Sequence, residues 1–150
     1  MIHPTIVRLE GLVGQEIGTS PWRAVSQEDI DRFAEVTDDP QFIHIDPVRA
    51  AETPFGGTIA HGFLTLSLLS AFSHAAVDLE GRRMGVNYGF DKVRFVAPVR
   101  SGARVRGRFN LKSIEPRKDG GYALVYDVAV EIEGGSKPAL TAEWLSLAYF

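Results

Sequence analysis

The sequence predicts an α+β fold in which one antiparallel sheet packs against one long apolar helix. Three observations carry this. Residues 63–77, FLTLSLLSAFSHAAV, are apolar on nearly every helical face, as a buried helix is. Everything after Gly81 reads as strand, in four long segments separated by turn signals. The chain of 150 residues has no repeat, low-complexity tract or linker, so residues 1–150 are expected to form a single domain with its own core.

In chain order, residues 1–12 have no assigned role, and a short strand comes first. Ser26 and Asp29 then have capping-box spacing, with Asp in place of Glu. Val25 and Ile30 sit where a hydrophobic staple would. Ile30, Phe33 and Ala34 form one apolar stripe, so residues 27–36 read as a short amphipathic helix. Asp46-Pro47 reads as an N-cap with proline at the first helical position, opening a turn or two of helix through Ala51. A glycine-rich approach, residues 54–62, leads into the apolar helix. The strands are placed at 85–96, 102–115, 121–134 and 139–149. Tyr122, Leu124, Tyr126, Val128, Val130 and Ile132 alternate with a more polar set, as a sheet with one buried face demands. Regular hairpins between the four strands predict an antiparallel meander.

Composition narrows the function. Hydrophobic residues make up 45% and charged residues 23%, the balance of a soluble globular protein. A formal charge of -3 offers no basic field for nucleic acid. The chain has no cysteine, which excludes disulfides, thiolate metal sites and a cysteine nucleophile, and suits a reducing cytoplasm. The N-terminus lacks a basic start followed by an apolar run, so no signal peptide is expected. No apolar stretch is long enough to cross a bilayer, so no membrane partner is expected.

Three stretches can carry chemistry. The first is TDDPQFIHIDP, Thr37 to Pro47. Asp39 and His44 are five residues apart, so they do not share a helix face, and Pro40 disfavours helix at Asp39. A loop must bring them together. A carboxylate and an imidazole beside Phe42 and Ile43 are partly desolvated, which tunes both groups. Such a pair can hold a water and move its proton. Spacing alone is better served by Asp39 capping a turn with His44 at the surface.

The second stretch is Ala60-His61-Gly62, where the apolar helix opens. The first amides of a helix have no internal partner and carry the positive end of its dipole. The Gly62 N–H is placed to hold a carbonyl oxygen as charge develops on it. An ordinary glycine at a crowded helix start is the other reading. His61 reads as structural, hydrogen-bonded near the loop. Ser67 either bonds back to a carbonyl one turn earlier or orients the Asp–His pair.

The third is NYGFDKVRFVAPV, Asn87 to Val99. Lys92 and Arg94 share one strand face while Val93 and Phe95 take the other. The cations are either a phosphate-binding pair or a solvated face. Arg104, Arg106 and Arg108 alternate likewise and read most simply as solvated. His3 and His74 have no partner at ligand spacing, so no metal site is expected. The glycines of "PFGG" lack the lysine and hydroxyl of a phosphate-binding loop.

Together these motifs resemble the MaoC-like (R)-specific enoyl-CoA hydratase and dehydratase family, single hot dog domains. The family pattern runs Asp-x-Asn-Pro-x-His, an acidic residue with a short helix, then His-Gly opening a hydrophobic helix. Here these are Asp39 to His44, Asp46-Pro47 and His61-Gly62, followed by the basic strand KVRFVAPV. The resemblance spans about Val13 to the C-terminus in matching order. Gln41 and Phe42 depart from the Asn-Pro version, are closer to an actinobacterial-type branch, and leave the acyl-chain preference open. The resemblance implies a sheet wrapped around the helix and a homodimer or higher homo-oligomer, with two sheets joined and sites near the interface. It implies that Asp39 and His44 activate a water that adds to Cβ of a trans-2-enoyl-CoA, giving the (3R)-hydroxyacyl-CoA. Gly62 N–H would hold the thioester oxygen. Ser67 and Asn87 would support the pocket, and Lys92 and Arg94 would meet CoA phosphates. Acyl-CoA is the substrate in this reading, and no metal or redox cofactor is required.

Two other activities fit the same fold. A hot dog thioesterase would use the same helix start, but its carboxylate usually lies on or near the central helix, and residues 63–77 contain no Asp or Glu. A 3-hydroxyacyl dehydratase acting on acyl carrier protein would share every motif. A non-catalytic acyl-thioester binding module would not need both Asp39 and His44.

Overall fold

The computed structural model describes residues 1–150. Its elements are α1 (Pro4–Glu10), β1 (Glu16–Thr19), β2 (Arg23–Ala24), α2 (Gln27–Thr37), α3 (Phe42–Ile45), α4 (Pro47–Ala51), α5 (Gly62–Ser67), α6 (Leu69–Ala76), β3 (Met84–Phe95), β4 (Arg104–Pro116), β5 (Tyr122–Ile132) and β6 (Leu140–Tyr149).

Local signals set most of the boundaries. Ser26 accepts the Asp29 N–H at 3.1 Å and starts α2 where the capping pattern places it. The helix stops at Thr37 because Asp38 adopts a left-handed conformation, φ 55° and ψ 42°. The Asp39 N–H then reaches back to the Ala34 carbonyl at 2.9 Å, closing a Schellman motif. Asp46 accepts the Arg49 N–H at 3.1 Å and caps α4, with Pro47 at its first position. The opening helix α1 has no counterpart in the sequence reading. His3 caps it, Pro4 starts it, and its one buried stripe holds Ile6 and Leu9.

The central helix is interrupted at Leu68, between α5 and α6, and ends at Ala76. Leu64, Thr65, Leu69 and Phe72 are buried, whereas Phe63, Ser67, Ser70 and His74 are exposed. Burial on every face, which the composition suggested, is therefore corrected for the isolated chain. The sheet covers one stripe, and apolar composition does not say what covers the other.

The sheet is antiparallel with the order β1-β4-β5-β6-β3, and β2 pairs with β4. Strands β4, β5 and β6 form a meander, but the predicted four-strand meander is corrected at β3. That strand pairs with β6, at the opposite edge from β1. The connection 96–103 is too long for a tight hairpin. It passes beneath the approach to α5, where the Ala60 N–H donates to the Val99 carbonyl at 2.8 Å and Ile59 bridges Arg100. Phe109, Val128, Ala142 and Val93 line up across the strands on the helix side. Phe109, Val128 and Ala142 belong to the core cluster and Val93 packs against it. Phe72 of α6 packs so closely that a Cβ at Gly107 would lie 2.8 Å from its own Cβ. The opposite sheet face carries ion pairs, Arg108 with Glu131 at 2.9 Å and Arg104 with Glu133 at 3.3 Å. The alternating arginines are thus a solvated face. No helix is long and apolar enough to cross a membrane.

Candidate active site

The end of α2 and the single turn of α3 set the first two groups. The Schellman motif fixes the backbone at Asp39, and Pro40 prevents α2 from continuing into it. Asp39 keeps a half-exposed carboxylate. His44 lies on α3 and is 7% exposed. The expected loop between them thus contains a short helix, and it does bring the pair together. The carboxylate and the His44 and His61 ring nitrogens lie within 4.8 Å of one another.

The His44 tautomer follows from its partner. Nδ1 lies 2.7 Å from the Ile59 carbonyl, which only accepts, so Nδ1 carries the proton. Nε2 is left with a lone pair. Burial pushes the His44 imidazole below its ordinary range. The Ile59 carbonyl opposes that shift, the His61 ring adds to it, and Asp39 acts against it. His44 is thereby poised as a neutral base.

His61 is 3% exposed and stacks on His44 with ring centroids 3.7 Å apart and planes at 23°. Its Nε2 donates to the backbone carbonyl of Asp39 at 3.0 Å and lies 3.9 Å from the carboxylate. The structural reading of His61 holds, though it reaches the acid and the base together. The cluster has three ligand types suited to a cation. One nitrogen of each ring is committed to a carbonyl, and the other is uncommitted. The expectation of no metal-ligand cluster is thus corrected in its geometry, since one atom from each of Asp39, His44 and His61 lies within 4.8 Å of the others.

Gly62 opens α5, and its amide has no backbone partner. A Cβ at this position would lie 2.9 Å from the Phe95 ring, so glycine lets Phe95 close over the helix start. Beside it is an apolar cavity of about 380 Å³, lined among others by Phe55, Phe63, Phe95, Val96, Pro98 and Val99. The site therefore presents a proton-accepting imidazole, a carboxylate, a free helix-terminal amide and an apolar cavity.

A family model described as "MaoC like domain" matches residues 8–131. The chain belongs to the MaoC-like family. Over 95% of its length it is 53% identical to Nodulation protein N of Rhizobium meliloti, covering 89% of that protein. It is 43% identical to 3-hydroxyacyl-thioester dehydratase Z of Mycobacterium tuberculosis, over 93% of this chain and 92% of that one. Among solved structures, the (R)-hydratase from A. caviae involved in PHA biosynthesis matches with a TM-score of 0.70 at 27% identity, over 89% of this chain and 94% of that chain. The antiparallel sheet and its helix are the MaoC-like hot dog fold.

Within this MaoC-like frame, four other sequence-predicted residues lie elsewhere. The Ser67 hydroxyl donates to the Phe63 carbonyl at 2.7 Å, the local back-bond, and does not orient the Asp–His pair. Asn87 accepts the Trp144 indole N–H at 2.5 Å. Ser67 and Asn87 share a separate cavity of about 120 Å³ with Ser70 and Trp144. Lys92 and Arg94 pair with Glu143 and Thr141, and that register puts them on the sheet face turned away from the central helix. Lys92 lines a groove there with Arg108, Asp127 and Glu143. Val93, between them, is the residue that faces the core, so neither cation reaches the Gly62 cavity within this chain. Arg100, which follows the cavity residue Val99, donates to the Gly56 carbonyl at 3.0 Å.

Two positioning residues were not legible. Gln27 donates to the His44 carbonyl and accepts from Thr58, spanning 17 and 31 residues. No local pattern marks a contact that distant.

Proposed function

We propose that the chain is a hydro-lyase that hydrates trans-2-enoyl thioesters to (3R)-hydroxyacyl thioesters and catalyses the reverse dehydration, with CoA as the carrier. The observation that carries this reading is the convergence of the Asp39 carboxylate and the His44 imidazole, its tautomer fixed, at the helix start that bears the Gly62 amide. An isolated acid or base would not support it.

Asp39 and the His44 Nε2 hold one water between them. The water oxygen bonds to Cβ and the Cα=Cβ π pair moves toward the thioester. The Gly62 amide receives the charge developing on the thioester oxygen. One proton leaves the water for the pair and one reaches Cα, so the pair ends as it began. The apolar cavity beside Gly62 takes the acyl or pantetheine chain, and Arg100 faces the anionic end of the carrier. Neither a metal nor a redox cofactor enters these steps. The exposed β3 edge pairs with a second copy, so the active form is a homodimer in the cytoplasm, each copy one domain over residues 1–150. The names of the relatives support the thioester class. The Mycobacterium tuberculosis relative is called a dehydratase of 3-hydroxyacyl thioesters, which leaves carrier protein as the alternative carrier.

The test is hydration of crotonyl-CoA and longer trans-2-enoyl-CoAs, followed by loss of enoyl absorbance and by product stereochemistry. Formation of (3R)-hydroxyacyl-CoA, reduced about 10²–10⁴-fold in Asp39→Asn and in His44→Ala, supports the reading. Release of free CoA without hydration replaces it with a thioesterase. Activity confined to carrier-protein substrates changes the carrier and keeps the chemistry.

A further inference from the structure

The reaction above uses Asp39, His44 and Gly62 and leaves the buried His61 at the same site without a task. His61 touches or adjoins all three. Its Nε2–H meets the Asp39 carbonyl at 3.0 Å. Its ring covers the His44 ring at 3.7 Å, and Phe33 packs against it at 4.9 Å. As N-cap of α5 it immediately precedes Gly62. Its second nitrogen, Nδ1, is buried with no hydrogen-bond partner. Buried polar atoms are costly to leave unpaired. Phenylalanine would fill this space without an orphan acceptor. What histidine adds is the N–H on the Asp39 carbonyl.

We propose that His61 is a positioning residue for this reaction, a clamp that holds the Asp39 backbone and the His44 ring in fixed relation to the Gly62 amide. The inference rests on the hydratase reading. The Asp39 N–H is already tied to Ala34 at 2.9 Å. With the carbonyl held by His61, both peptide groups flanking Asp39 are fixed, and only side-chain torsions remain to the carboxylate. His44 is held at one edge by Ile59 and on one face by His61. Ile59 and His61 belong to one segment, which is itself pinned by Ile59 N–H to Ile43 at 3.0 Å and Ala60 N–H to Val99 at 2.8 Å. Segment 59–62 thus carries an anchor for the base, an anchor for the acid and the free amide. The titratable groups facing His44 are Asp39 and His61, which act on its charge in opposite senses. Displacement of a reacting group by about 1 Å costs on the order of 10²-fold in rate, so a clamp of this kind acts on kcat.

Two variants separate the clamp from packing. His61→Phe keeps a ring of similar size and removes the N–H. His61→Gln keeps an N–H of similar reach and removes the ring. His61→Phe is expected to fold, to keep KM within about threefold, and to lose about 10- to 100-fold in kcat, with part of the loss recovered in His61→Gln. The acid limb of its kcat/KM profile should also move up in pH. Unchanged kcat in His61→Phe overturns the clamp. So does a loss in both variants that only tracks their melting temperatures. Nitrogen-15 NMR of the imidazoles gives a readout free of turnover. The clamp requires the Nε2–H tautomer at His61, the Nδ1–H tautomer at His44, and a His44 titration that moves in His61→Phe. An Nδ1–H tautomer at His61 or an unmoved His44 titration overturns it. If the wild-type chain hydrates no enoyl thioester, the hydratase reading fails while these resonances still decide the clamp.

Discussion

The side-chain amide of Gln27 donates to the backbone carbonyl of His44 at 2.7 Å. Its oxygen accepts the hydroxyl of buried Thr58 at 2.6 Å. One residue in the first turn of α2 therefore joins α3 to the segment that leads into α5. Gln27→Leu leaves a hydroxyl and a carbonyl short of partners, which costs about 1–3 kcal/mol. For a chain of this size that lowers the melting temperature by several degrees, on the order of 4 °C. The Ser26 cap remains, so α2 persists and helical circular dichroism should not change. The kcat for hydration should fall with stability, because the His44 backbone loses a tether. Wild-type stability by urea denaturation would show that water replaces both bonds at no cost.

The pH dependence follows from the His44 environment. Burial holds its folded-state pKa below the ordinary histidine value. Between the folded and unfolded values the unfolded chain binds more protons. The neutral imidazole therefore contributes stability that is fully present above about pH 6.5 and is lost as pH falls through the folded pKa. The same shift keeps Nε2 unprotonated at lower pH. The acid limb of log(kcat/KM) should thus break below about pH 6.5. A break above pH 7 would mean that Asp39 outweighs burial and that the base works in a wetter site.

Gly62→Ala tests the helix start separately from the pair. The added Cβ meets the edge of the Phe95 ring at 2.9 Å, and Phe95 is half exposed, so its side chain can swing away. The fold should lose no more than about 1 kcal/mol, because nothing buried is overpacked beyond a movable ring. Hydration should fall at least about tenfold, since the methyl group and the displaced ring crowd the carbonyl site. Gly62→Ala combined with Phe95→Leu should relieve the contact and restore stability more than rate. Recovery of the full rate in the double variant would show that the displaced Phe95 ring, and not the added methyl group, blocks the carbonyl site, with the backbone amide present throughout.

Short-range patterns carried most of the fold. The four strand ranges fall within two residues of those observed at every end, because alternation of burial is written residue by residue. Strand order was not legible, since the pairing of β3 with β6 depends on where the connection 96–103 can run. At the site, Pro40 and the five-residue spacing required Asp39 and His44 to meet outside one helix. What holds them there lies far along the chain: His61 was read as bonding near the loop, but Gln27 and Ile59 carry no local signal that points to them. Ser67 obeyed the local back-bond rule. Lys92 and Arg94 were correctly placed on one face. That the face is the outer one was implicit in Val93 and Phe95, whose apolar side chains belong toward the helix.

The free edge of β3 supplies the last prediction. Met84, Val86, Tyr88, Phe95 and Val96 are exposed along or just beyond the strand, and Phe63 is 68% exposed on the neighbouring helix face. An unpaired apolar edge strand is a template for another strand, and soluble chains rarely leave one uncovered. A second copy pairing β3 to β3 would extend the sheet and cover the bare face of α5 and α6. Wild-type protein should therefore sediment as two copies of the 16.5 kDa chain. Val86→Lys puts an unpaired charge into that seam while lying outside the Gly62 cavity. It should weaken association by about 10²-fold, roughly 3 kcal/mol, and make specific activity rise with protein concentration. A wild-type chain that is monomeric at micromolar concentration and fully active would exclude the second copy from the site. A variant that dissociates yet keeps constant specific activity would support the β3 seam in the wild-type dimer but show that each copy carries a complete site.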